Sequence, residues 1–168
     1  MAQNPNKFEA YDRDWQRAYD QYRVELGKMQ QRLAKEAYNF FAEADVHDGE
    51  LLQLVVNDGS RPGPSSEIAK PWAVREDDPI WVTLEVLDSY DKIVWRLRYK
   101  NVRRLMIDFP TQEPLFHSRG EGFGDWGYHE LSDAGDGFFR HEVLFATGAI
   151  LLFEFKEIDV VSSTREHH

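Results

Sequence analysis

Apolar side chains recur along the first quarter of the chain at Phe8, Tyr11, Trp15, Tyr19, Tyr22, Leu26, Met29, Leu33, Ala37, Phe40 and Phe41, the three-and-four spacing of an amphipathic helix. Asn4-Pro5 supplies an N-cap and a first helical residue whose missing N–H would have had no partner anyway. An unbroken helix over roughly residues 6 to 44 would be ~58 Å long. A compact domain of this length is only ~40 Å across. The pattern therefore predicts a break or kink near Gly27, or a protruding end that packs on a second copy of the chain.

Beyond Asp45-Val-His-Asp-Gly49 the period becomes that of strands. Glu50 to Val56 reads as a strand, and Asn57 to Ser66 as a loop by its Gly, Pro and Ser density. Ile80 to Leu87 and Lys92 to Val102 read as a hairpin turning at Ser89-Tyr90, with Val86 opposite Ile93, Leu84 opposite Trp95 and Val82 opposite Leu97. The same register sets Thr83 against Arg96 and Trp81 against Arg98 on the outer face. Leu105 to Asp108 extends that strand or begins another. Pro110 to Gly124 is irregular, Trp126 to Leu131 is a short strand, and Ser132 to Gly137 is a tight connection.

The clearest pattern is the last hairpin. With Ala146-Thr147-Gly148 as a three-residue loop and Gly148 left-handed, Phe139, His141, Val143 and Phe145 share a face with Leu151, Phe153 and Phe155, while Arg140 faces Glu154. A two-residue loop would mix Glu154 and Lys156 into the apolar row, so the pattern selects the register. Helices first and antiparallel strands afterwards indicate α+β. The expected architecture is a long or broken N-terminal amphipathic helix packed on a twisted antiparallel β-sheet, with a partly closed barrel or a sandwich as variants. It forms a single domain over 1–168, divided into a helical segment (1–45), a sheet (46–161) and a tail (162–168).

Composition narrows the function classes. Thirty acidic against twenty basic residues give a formal charge of −10, which disfavours nucleic-acid backbones and anionic membranes and steers cationic partners inward. With no cysteine, disulfides, thiolate zinc sites and thiol nucleophiles are excluded. No apolar window approaches the ~20 residues of a membrane span, and no signal-peptide pattern opens the chain. A cytoplasmic location is the expectation, and no cofactor is implied.

Three groups of residues could carry chemistry. His141, with His47, Asp48, His129 and Glu130 as companions, would form a metal or acid–base centre if the strands brought them together; the alternative is a core histidine hydrogen-bonded to Asp, Tyr or a carbonyl. Arg96, Arg98, Lys100, Arg103 and Arg104 could bind an anion or, with Trp81, stack a single-stranded nucleic acid; the alternative is an outer face neutralised by Glu85 and other carboxylates. Trp72, Glu76, Asp77 and Asp78, before the Ile80 strand, are candidate contacts for a protein partner. Gly122-Phe-Gly-Asp-Trp-Gly127 matches the dinucleotide fingerprint in letters, but no helix pattern follows it.

The order of helix, Val46-His47-Asp48-Gly49, strand, Trp126-Gly-Tyr128, Phe139-Arg-His141-Glu-Val-Leu-Phe145 and Phe153-Glu-Phe155-x-x-Ile158-Asp-Val160 resembles small bacterial α+β domains, some of them immunity-protein-like. The resemblance covers roughly residues 30 to 160 and implies a non-enzymatic domain that acts by protein–protein contact. With the acidic balance, it points to a basic protein partner. The aromatic helix adds the expectation of a homodimer, since an exposed apolar stripe calls for a cover.

Overall fold

The computed structural model describes residues 5–58, 80–109 and 122–165, with side chains from residue 14 onward. Helix α1 spans Pro5–Met29, continues as a 3-10 turn at Gln30–Arg32, and is followed by α2, Lys35–Glu43. The predicted break is real but lies a few residues after Gly27. Leu33 and Ala34 adopt extended backbone, with φ/ψ of −107/145° and −62/151°, although neither is a helix breaker. Packing decides the site: the break turns α2 back over the sheet, burying Ala37, Phe40 and Phe41. The Arg23 guanidinium, which donates to the Ala42 carbonyl, ties α1 to the last turn of α2.

Among the described residues eight strands follow: β1 Glu50–Asn57, β2 Trp81–Leu87, β3 Ile93–Lys100, β4 Arg104–Asp108, β5 Trp126–Gly135, β6 Phe138–Phe145, β7 Ile150–Phe155 and β8 Glu157–Thr164. They form two four-stranded antiparallel sheets, ordered β1-β2-β3-β8 and β4-β7-β6-β5. The fold is therefore α+β, as the pattern predicts. Leu105 to Asp108 belongs to a separate strand in the second sheet, so among the described residues the chain changes sheets twice. It does so between β3 and β4, where Asn101 is left-handed at φ 51°, and between β7 and β8 at Lys156. The two crossings run side by side: the Lys156 N–H donates to the Lys100 carbonyl at 3.2 Å, and the Arg103 N–H to the Glu154 carbonyl at 2.9 Å.

At the opposite seam, among the described residues, β1 and β5 meet only through the Glu50–Asp125 bridge. Two backbone bonds reinforce it: the Trp126 N–H donates to the Gly49 carbonyl and the Asp48 N–H to the Trp126 carbonyl, both at 2.8 Å. A Cβ at Gly49 would run into the carbonyl oxygens of Leu87 and Val46, so this seam requires glycine.

The last hairpin has the predicted register, with Phe139 opposite Phe155, His141 opposite Phe153, and Arg140 opposite Glu154. Gly148 is left-handed at φ 86°. The β2–β3 hairpin departs from expectation by two residues: Val86 faces Trp95, Leu84 faces Leu97, and Thr83 faces Arg98. Asp88 explains the shift. Its carboxylate accepts the N–H groups of Lys92 at 2.7 Å and Ile93 at 3.0 Å, making a wider turn than Ser89-Tyr90 alone. A shift of two keeps every side chain on its face, so Val82, Leu84, Leu97 and Tyr99 still point into the core. Strand β5 also runs to Gly135, past the expected end at Leu131, and turns through Asp136-Gly137, both at positive φ, as short hairpin turns require.

Candidate functional site

Three loops end at one rim of the fold: the segment before β1, the β2–β3 turn and the glycine-rich approach to β5. Together they enclose a cleft of about 580 Å³, lined by Asp48, Glu50, Leu51, Asp88, Ser89, Asp91, Gly122, Phe123, Gly124 and Asp125. Five of these ten residues are carboxylates. Their positions follow from local chemistry. Asp48 and Asp91 adopt left-handed backbone, at φ 63° and 57°, a conformation Asp tolerates better than most residues. Asp88, 6% exposed, caps its own turn. Glu50 and Asp125 face each other across the seam.

Little neutralises this charge. Arg165 approaches Asp91 at 3.8 Å, and His47 lies 3.1 Å from Asp48. Among the described residues, no cation pairs with Glu50 or Asp125. Phe123 gives the cleft an aromatic wall, packed on Phe109 and Phe145, and its carbonyl accepts the Thr147 hydroxyl at 2.6 Å. The glycines of the apparent dinucleotide fingerprint serve this turn. Gly122 and Gly124 have φ of 84° and 72°, and the chain continues into β5 rather than a helix.

The histidine candidates separate. His141 is fully buried; its Nδ1 meets the Tyr99 hydroxyl at 2.7 Å, and its Nε2 meets His129 Nδ1 at 3.2 Å. Phe41, Trp126 and Phe153 enclose the ring. If Tyr99 donates to Nδ1, His141 donates onward from Nε2, and one run of bonds satisfies all three groups. Burial pushes His129 down to about 4. Burial first, and the neighbouring His129 second, hold His141 well below the usual histidine range. Both rings are therefore neutral near pH 7. Glu130 lies on the exposed side of β5, His47 packs against Tyr128, and Asp48 belongs to the cleft. Among the described residues, no group of three or more His, Asp or Glu could hold a metal ion.

The basic stripe splits into separate groups. Arg96 pairs with Glu85, Lys100 with Asp159 at 2.6 Å, and Arg98 lies over Trp81, 5.1 Å from its ring centroid. Arg103 and Arg104 lie beyond the bend. Arg103 and Arg140 clamp the nearly buried Glu154 at 2.8 and 2.7 Å, and Arg104 stands off at 3.8 Å. Arg140 first and Arg103 second hold the Glu154 carboxyl below its usual range. Trp72, Glu76, Asp77 and Asp78 lie outside the described residues.

Of the cleft carboxylates, only Asp48 is a candidate site residue in the sequence, and it is so as a companion of His141. Glu50, Asp88, Asp91 and Asp125 lie far apart along the chain, and only the order of strands brings them together. No helix among the described residues is long and apolar enough to cross a membrane. No protein-family model, curated protein or solved structure matches the chain.

Proposed function

We propose that this chain is a non-enzymatic bacterial interaction domain, immunity-like in kind, whose acidic cleft receives a Lys- or Arg-bearing segment of a basic protein partner. The observation that supports it is the convergence of Asp48, Glu50, Asp88, Asp91 and Asp125 on one cleft with, among the described residues, only Arg165 as an arginine at its margin. Such a concave, single-sign surface focuses its field on an approaching cation and raises the rate of encounter. The net charge of −10 acts in the same direction at longer range. Phe123 offers apolar surface to the stem of a long basic side chain. The chemistry of His141 takes no part in this reading, since its ring is fully buried among aromatic side chains.

The test is a titration of the full chain with a short peptide of alternating Lys and Val, followed by fluorescence anisotropy. The double variant Asp48→Asn/Asp125→Asn should bind about tenfold more weakly, roughly 1.4 kcal/mol. Asp14→Asn, on the exposed face of α1, should bind as the parent does. Equal affinities for all three proteins would overturn the reading. So would saturable binding of calcium ions alone with no binding of the peptide, which would make the cleft a cation site.

A further inference from the structure

Two sheets of this kind present four outer edges, and the fold treats one of them differently. The edge of β5 faces α1, where the Leu131 N–H reaches the Tyr22 hydroxyl at 3.5 Å and Arg32 holds Asp133 at 2.6 Å. Helix α2 packs on β8. Strand β4 is short and carries a charge at each end, Arg104 and Asp108. Covering an edge, shortening it and charging it are the usual protections against strand addition. Among the described residues no helix or strand covers β1 along its outer edge, and its protection is confined to the bulge between Leu51 and Gln53. From Leu51 to Asn57 it contains neither charge nor proline. Among the described residues it pairs with β2 and, beyond that, only through the single bridge at Glu50. Leu52 and Val56 are 42% and 56% exposed.

This edge also begins inside the acidic cleft, since Glu50 and Leu51 line it. We infer that β1 accepts an extended basic segment by strand addition: main-chain hydrogen bonds form along Leu52 to Asn57, and Lys or Arg side chains at one end of the segment enter the cleft. The inference rests on the acidic-cleft reading above and supplies its binding mode. Charge alone would hold a cation at the cleft without order. An added strand fixes the direction of the segment and presents alternate side chains to one face. The occupant is therefore an extended segment with basic residues near one end, in preference to a basic helix.

The experiment compares the Lys/Val peptide with the same peptide fully N-methylated along its backbone, which keeps the charge and cannot donate main-chain hydrogen bonds. Amide hydrogen exchange of the full chain is followed alongside. Strand addition predicts at least about tenfold weaker binding after methylation, and slowed exchange across Leu52 to Asn57 with the parent peptide only. Equal binding of both peptides with unchanged exchange in β1 would overturn strand addition and leave the acidic cleft standing. Failure of both peptides to bind would overturn the two readings together. Full protection of every β1 amide in the free protein would show the edge already occupied, and would also overturn the proposal.

Discussion

The Tyr99 hydroxyl lies 2.7 Å from Nδ1 of His141, joining the first sheet to the second through their shared core. Both side chains are fully buried, and Tyr99 stacks on Phe153, with centroids 4.4 Å apart and planes within 7°. Tyr99→Phe preserves this stacking and removes the hydrogen bond, leaving His141 Nδ1 without it. The expected cost is about 1–3 kcal/mol, measurable by urea denaturation.

The neighbouring histidines make the fold sensitive to acid. In the unfolded chain His129 gains its proton near pH 6.5, but in the fold it stays neutral down to about pH 4. Between those values the unfolded state binds more protons, so stability rises with pH. It is present in full above about pH 6.5 and is lost as pH falls toward 4, by up to roughly 3 kcal/mol at 1.36 kcal/mol per pKa unit. The lowered carboxyl of Glu154 adds losses only at lower pH, below its unfolded value of 4.5. Thermal unfolding should therefore move to lower temperature between pH 7 and 5. His129→Gln, which does not titrate, should flatten that slope.

Phe40 is the contact that turns α2 back onto the sheets. It is fully buried and meets Trp95, His129 and Phe41 at centroid distances of 5.2–5.4 Å. Phe40→Ala should cost about 3–5 kcal/mol, which for a domain of this size lowers Tm by roughly 10 °C. Gly27→Ala provides the contrast. A Cβ there meets nothing within 4 Å, so within a helix the change should stabilise by about 0.5–1 kcal/mol. Differential scanning calorimetry separates the two.

That contrast also shows what the residues disclose on their own. The apolar spacing predicts the helix and its need to break, and Gly27 draws the break toward itself because glycine is the poorest helix former nearby. The actual break is set by the burial of Phe40 and Phe41, a tertiary demand with no local signal. The last hairpin was legible because only one register keeps Glu154 and Lys156 off the apolar face. The β2–β3 register was not, since a shift of two leaves each face unchanged and only the Asp88 cap distinguishes the alternatives. His129 and His141 meet as neighbours on paired strands, but among the described residues no third metal-ligating side chain joins them. The acidic cleft was illegible because it joins three loops that the strand order alone brings to one rim.

Gly49 tests that rim directly. Its carbonyl accepts the Trp126 N–H, and the Leu87 carbonyl occupies the space a side chain would need. Gly49→Ala should therefore loosen the β1–β5 seam, and amide exchange should accelerate first at Asp48 and Trp126. Unchanged protection there would show that the seam does not depend on this close approach.

The most direct test of the central claim is isothermal titration of the full chain, at low salt and at 0.15 M, with the Lys/Val peptide and with a Glu/Val peptide of the same length. A cleft that works through its carboxylates binds the basic peptide, binds it more weakly as salt shortens the screening length to ~8 Å, and does not bind the acidic one. Equal heats from the two peptides, or binding indifferent to salt, would contradict the account.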